Sequence, residues 1–574
     1  MPEILYGEIS VFGSNGRLRE IPEKGRRKSK ISFYQRDKPN GVKAGSSRKF
    51  TDCQNAQAVQ DSNKHSISYT LSRNEAVVVE YVHDENTDMF QIGRSTDEHI
   101  DFIVSEIHSK NSSNSLDKAL ANPLRAKNGQ GQEINNNNLK HLASSRGAFF
   151  KKPFANYLNP FNNNNSSSDQ PAKNGNSQSS KSCNNSKPGS ENCHTQSNSE
   201  STVSRFACRI YVDRKPPYIA RIYAAGFDSS KNIFLGERAI KWKKNLHMDG
   251  LTTNGIMILK PNSKLWPCEQ KSFSSRKIYS VQEEKGKEGN TELESEQSLS
   301  SNANWREVSV CGSIYEVRKE RCVPTPSNLC PDEDNILIDG TLIDLCGVTL
   351  LWRSYSGIQL SPDIDEICSM VKSLNMCRIQ CPVQYQTLQI PKPLSQADLN
   401  NRKSSQDLPK DRRPYVYLNC GHVHGHHDWK AVGDGNNLLR TCPLCLQASL
   451  FVPLTMGQES SFHLNKSPAT YCFDPCGHMA SKETVMYWYS ILLPNRNNFE
   501  LHPKCPFCAV TIKREPVKLL FQSDIDEDAI FDMFSRERRS KLSDCVTLDE
   551  GVQCKNSKSI INTTTTQEEF IKCL

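Results

Sequence analysis

Through residue 352 the chain alternates short apolar, β-branched runs with turn residues, and a 3.6-residue helical period is almost absent. The runs fall at residues 8–12, 67–71, 77–82, 206–212, 218–223, 256–259, 305–310, 314–317 and 336–352. The last is broken by Asp339-Gly340, which reads as a hairpin turn. The pattern predicts a mainly β protein: an antiparallel sandwich or barrel over residues 1–360. Beyond it, residues 362–372 predict a short helix, 391–414 a polar linker, and Ser481 the N-cap of a second helix. That helix carries Glu483 in its first turn and Val485, Trp488 and Leu492 on one stripe.

Composition changes this picture in two places. Residues 109–200 hold 20 Asn and 17 Ser in 92 positions, too little apolar surface to offset the entropy of ordering them. Strands resume at once on the far side, so the tract reads as a disordered insertion inside one domain, and closure entropy tolerates such a length. A second polar insertion covers about 261–304, and residues 524–574 read as a mobile tail. The mean hydropathy of −0.63 agrees with long unpacked segments. Seventy-two basic against 64 acidic residues give a mild, dispersed excess rather than a nucleic-acid footprint, and the basic run 25–30 reads as a solvated turn. Residues 1–10 lack signal-peptide character and no apolar run is long enough to cross a bilayer. A cytoplasmic protein with reduced thiols is expected, the nucleus being the second choice, with neither nucleic acid nor membrane as partner.

The chemistry concentrates in residues 415–523. Cys420-Gly421-His422 and Cys442-Pro443-Leu444-Cys445 are followed by Cys476-Gly477-His478 and Cys505-Pro506-Phe507-Cys508. Each half supplies three thiolates and one imidazole, the tetrahedral set that structural zinc takes. Cys420, His422, Cys442, Cys445, Cys476, His478, Cys505 and Cys508 therefore predict two structural Zn2+ ions, either local to each half or cross-braced between halves. His424, His426, His427 and Cys472 are surplus and are read as non-ligands.

Triplet, helix and Cys-Pro-x-Cys in this order resemble the latter part of a RING finger, written twice. With Gln380-Cys381-Pro382-Val383, the run from His65 to Asn74 and the run from Ala224 to Gly236, the chain resembles the Pellino proteins. The resemblance implies a ubiquitin ligase downstream of Toll-like and interleukin-1 receptors, with an interrupted forkhead-associated sandwich before a small α+β RING-like domain. It implies three phosphothreonine-contacting loops, carrying Arg94, then Ser204 and Arg205, then Thr253 and Asn254. Partners would be a ubiquitin-loaded conjugating enzyme and phosphorylated receptor-associated kinases. Catalysis would be by positioning, with Leu444 and Phe507 as docking residues or as filling for the domain's own core.

Two other classes compete. A non-catalytic scaffold would bind the same kinases without transferring ubiquitin. A zinc hydrolase would need an open coordination position that complete sets of four do not leave. Because the phosphate-contacting loops and the metal ligands are separated by the polar linker, the two activities are expected to be separable.

Overall fold

The computed structural model describes residues 3–15, 29–51, 63–104, 202–244, 247–262, 266, 305–318, 328–393, 409, 412–429, 431–432, 439–494 and 501–522. The Asn/Ser tract, nearly all of the second insertion, the basic run up to residue 28 and the tail lie outside these residues.

The N-terminal domain is a sandwich. One sheet has seven strands in the order Ile314–Glu316, Arg306–Val308, Ile256–Leu259, Leu342–Asp344, Thr349–Ser354, Leu5–Val11 and Lys30–Tyr34. Across the core lie two four-stranded sheets. The first runs Asn232–Leu235, Ser66–Ser72, Glu75–Asp84 and Gly41–Thr51, and the second Phe102–Ile103, Thr87–Gly93, Cys208–Asp213 and Ala220–Ala224. Phe33 of the large sheet stacks on Phe90 of the second four-stranded sheet at 4.6 Å, with Trp352 5.6 Å from Phe33, and this apolar layer holds the sheets together. The sheets are antiparallel except where Asn232–Leu235 runs parallel to Ser66–Ser72 and Thr87–Gly93 to Phe102–Ile103.

Asp339-Gly340 is not the hairpin turn that its sequence suggests. The Asp339 carboxylate is buried, where it accepts from Trp266 Nε1 at 2.7 Å and from Arg353 Nε at 3.0 Å, and the turn precedes the strand Leu342–Asp344. The hairpin closes instead at Cys346-Gly347, both at positive φ, with Leu345 N–H donating to Val348 O.

Helix α1 (Tyr355–Leu360) leads into α2 (Ile364–Met376), which starts two residues later than its sequence pattern indicated, where Asp363 and Glu366 form a reciprocal capping box, and runs four residues further, burying Ser373 and Leu374. Helix α3 (Lys482–Ser490) starts at Ser481, whose hydroxyl accepts from Thr484 N–H as expected. It buries Val485 and Trp488, but Tyr487 rather than Leu492 completes the buried face. The helix ends at Ser490, which leaves Leu492 exposed.

The second domain repeats one unit. In each half the Cys-Gly-His hairpin closes by the same bonds, Tyr417 N–H to His422 O and Phe473 N–H to His478 O. The strand leaving each Cys-Pro-x-Cys turn then crosses to the other half. Thr455–Met456 pairs in parallel with His478–Ala480, while Leu520 bridges in parallel to His422. Gly421 and Gly477 sit at positive φ where these strands arrive, and a Cβ would meet Lys518 O at 2.1 Å and Pro453 O at 2.4 Å.

The two domains are not separate bodies on a linker. Phe12, Met257, Leu259, Trp266, Leu342 and Leu351 of the sandwich share one buried cluster with Phe462, Phe473, Trp488 and Phe507 of the second domain. Polar bonds seal it: Trp305 Nε1 donates to Leu492 O at 2.9 Å, and Arg353 Nη1 to Ser461 O at 2.7 Å. The expectation that the domains meet only through the polar linker 391–414 is corrected here, because the contact passes through the sandwich face and α3.

Candidate metal centres and anion-binding loops

Folding brings the eight predicted ligands into two quartets, Cys420/His422/Cys442/Cys445 and Cys476/His478/Cys505/Cys508, with ligand atoms within 4.8 Å of one another in each. The pairing is local to each half, not cross-braced. Each Cys-Pro-x-Cys turn folds alike, with Cys442 N–H donating to Gln447 O and Cys505 N–H to Val510 O. Leu446 and Ala509 then take positive φ so that both thiols face inward. Burial pushes the Cys476 and Cys505 thiols well above their ordinary range, while hydrogen bonds from those two thiols hold Cys508 well below it. Three sulfurs and an imidazole packed this closely deprotonate together only around a cation, so the donor sets fit a bound metal.

The surplus groups are placed apart from these quartets. His427 pairs with Tyr417 Oη at 3.3 Å, His424 and His427 join an aromatic cluster with Tyr417 and Phe451, and Cys472 is fully buried in the domain core. His424 Nε2 lies 3.8 Å from Cys442 Sγ, beside the first quartet rather than in it.

The two apolar turn residues differ. Leu444 is half exposed on the first half. Phe507 is wholly buried, with its ring against Phe462, Phe473, His463 and His478, and Gly457 is a glycine because a Cβ would meet that ring at 2.2 Å. As a docking residue Phe507 is therefore corrected: it has no surface to offer and fills the core.

In the sandwich the three predicted loops meet at one edge. Arg94 N–H donates to Ser204 O at 3.1 Å and Ser95 N–H to Arg205 O at 3.2 Å, while Asn254 Nδ2 donates to Thr202 O and to Ser204 Oγ. Gly93 allows this approach, since a Cβ there would lie 1.9 Å from Arg205 O. Arg94, Arg205 and Thr253 are exposed around the half-buried Ser204 and Asn254. Among the described residues no carboxylate forms an ion pair with either arginine, so the loop edge presents exposed guanidinium donors.

The comparisons with known proteins follow this division. The family described as Pellino, FHA domain, matches residues 1–129 and 183–370, and Pellino, RING domain, matches residues 374–526. The chain is 37% identical over 526 residues to the human protein named E3 ubiquitin-protein ligase pellino homolog 2, covering 91% of this chain and 96% of that one. The Drosophila melanogaster protein named Protein pellino is 37% identical over 527 residues, covering 92% and 95%. The chain belongs to the Pellino family. Its mouse relative named E3 ubiquitin-protein ligase pellino homolog 3 is 35% identical over 91% of both chains.

Sequence reasoning missed one feature of this Pellino chain. Gln380-Cys381-Pro382-Val383 folds as a third turn of the same kind, with Cys381 N–H donating to Gln386 O, Tyr385 N–H to Cys381 O, and Tyr385 at positive φ. Gln384 stands where Cys445 and Cys508 stand, so the turn offers one buried thiol and no metal set. The shared Cys-Pro dipeptide was the available signal.

Proposed function

We propose that this Pellino chain is a RING-type ubiquitin-protein ligase whose N-terminal domain selects phosphothreonine-bearing signalling proteins, receptor-associated kinases in Toll and interleukin-1 receptor signalling being the substrate class. The observation that carries the ligase reading is the pair of complete, closed Cys/His quartets in a chain whose relatives are named E3 ubiquitin-protein ligases. Zinc is the metal that suits three thiolates and one imidazole, and its contribution is to fold the two halves. The chain's residues then act by positioning. A conjugating enzyme charged with ubiquitin docks beside the first half, with exposed Leu444 as an apolar contact, and a substrate lysine amine attacks the thioester carbonyl as the conjugating enzyme's thiolate leaves.

At the other end Arg94 pairs with the phosphate, Ser204 and Arg205 supply further donors, and Thr253 and Asn254 hold the peptide backbone. What supports this assignment is the loop edge of exposed guanidinium groups, which pair with no carboxylate among the described residues. Reconstituted ubiquitination of a phosphorylated receptor-associated kinase tests the whole reading. Cys420→Ala is expected to abolish all chain synthesis, and Arg94→Ala to spare substrate-independent chains while losing the kinase as substrate. Kinase modification at the wild-type rate by Arg94→Ala would refute the phosphothreonine assignment.

A further inference from the structure

The second metal quartet has a wall that the first one lacks, and it comes from the other domain. Leaving the strand Leu5–Val11, the chain lays Phe12, Gly13, Ser14 and Asn15 across the second half. The Phe12 ring packs edge-on against Phe462 at 5.6 Å and Trp488 at 5.5 Å. Gly13 N–H donates to Pro506 O at 2.7 Å, inside the Cys-Pro-x-Cys turn. Gly13 takes a φ of +84°, and an added Cβ would lie 2.7 Å from Ala509 Cβ, so the backbone rests directly on the turn. Asn15 follows, with its Oδ1 accepting from Gln458 N–H at 2.6 Å and its Nδ2 3.4 Å from Nε2 of His478.

His478 Nδ1 lies 3.4 Å from Cys476 Sγ and so faces the ligand set, which leaves Nε2 as the outer nitrogen. A metal-bound imidazole carries its proton on the outer nitrogen and is oriented by whatever accepts it. As placed, Asn15 Nδ2 faces Nε2, so accepting the Nε2 proton requires the amide to turn its oxygen toward His478; that oxygen has two lone pairs, enough for Gln458 N–H and His478 Nε2–H together.

We propose that Asn15 is the outer-sphere partner of the metal ligand His478, and that the segment Phe12–Gly13–Ser14–Asn15 of the β domain acts as a clamp that orients and retains the metal of the second quartet. The inference rests on the zinc reading above. Asn15 is thus a positioning residue: it touches the ligand, not the metal. No sandwich residue takes this place beside His422 among the described contacts, so the first quartet holds its metal without the clamp.

The test is zinc release from the full-length, zinc-loaded chain to a chromogenic chelator, in which two equivalents are read as two phases. Asn15→Leu, which keeps the size of the side chain but removes its acceptor, is expected to speed release of one equivalent roughly ten- to a hundredfold and leave the other unchanged. Asn15→Asp, which restores an acceptor, is expected to return that phase to near the wild-type rate. Asn15 has a φ of +41°, which Asp tolerates and Leu does not. Asn15→Gly is therefore the control that relieves the backbone and still lacks the acceptor, and it is expected to release zinc as fast as Asn15→Leu. Repeating the measurement in Cys445→Ser, where only the second quartet remains, assigns the phase. Gly13→Val is a second probe that leaves the Asn15 side chain in the sequence, expected to speed the same phase by displacing the segment from Ala509. Two zinc equivalents leaving at wild-type rates from Asn15→Leu and Gly13→Val would overturn the clamp and spare the zinc reading, whereas a wild-type chain that carries no zinc would overturn both.

Discussion

On the proposed phosphothreonine reading a single guanidinium decides affinity, because Arg94 stands exposed at the loop edge while its backbone is tied to Ser204. Arg94→Ala is expected to weaken a phosphothreonine peptide by about 1.5 to 3 kcal/mol, or roughly ten- to a hundredfold in Kd, as a titration with labelled peptide would measure. Equal Kd values for variant and wild type would remove Arg94 from the site. Cys445 is decisive in the same way for the first quartet. Cys445→Ala is expected to leave one zinc per chain by elemental analysis, since three donors do not close a structural site. The two Cys/His quartets were legible in the sequence because their chemistry is short-range: a Cys-Pro-x-Cys turn carries its own geometry. The burial of Phe507 was not, because it depends on Phe462 and Phe473, 45 and 34 positions away in sequence.

Among the elements, α3 carries the aromatic contact between the two domains. Trp488 is wholly buried between Phe12 of the sandwich and Phe462, and its Nε1 donates to Phe462 O at 2.9 Å. Trp488→Ala is expected to cost about 3 to 5 kcal/mol of unfolding free energy, read by denaturant titration. His463, just after the 3-10 turn Ser460–Phe462, is buried and pushed down to about 4, chiefly by desolvation. Its folded value lies below the ordinary 6.5, so the unfolded chain binds the proton first and stability falls as pH drops from about 6.5 toward 4. Denaturation midpoints across that window should fall more steeply for wild type than for His463→Gln. The helix itself was readable from its Ser481 cap and apolar stripe. The Cys346-Gly347 hairpin was not, since Asp339-Gly340 offered a stronger local turn signal and only the distant Trp266 and Arg353 explain why that carboxylate is engaged elsewhere. Local pairing of the metal ligands was equally hidden, because the strand exchange between halves that accompanies it leaves no mark on ligand spacing.

For the whole molecule, the sandwich and the metal-binding domain share one core, so their stabilities are coupled. Calorimetry of the full chain is expected to show the two domains melting together, and chelation of the metal to lower that Tm rather than remove a separate transition. Two independent endotherms, one untouched by chelator, would contradict the shared core. Nothing in the sequence announced this contact, since Phe12, Trp266 and Leu351 read equally well as core of the sandwich alone. The claim on which the rest depends is that this folded unit, once it holds its metals, speeds ubiquitin transfer by positioning. Its most direct test is the rate at which a ubiquitin-charged conjugating enzyme loses its thioester to free lysine, measured with and without the zinc-loaded full chain. The account predicts acceleration by the wild-type chain, a strong reduction with Leu444→Arg, and none with Cys420→Ala. A zinc-replete wild-type chain that leaves the discharge rate of every conjugating enzyme unchanged would contradict it.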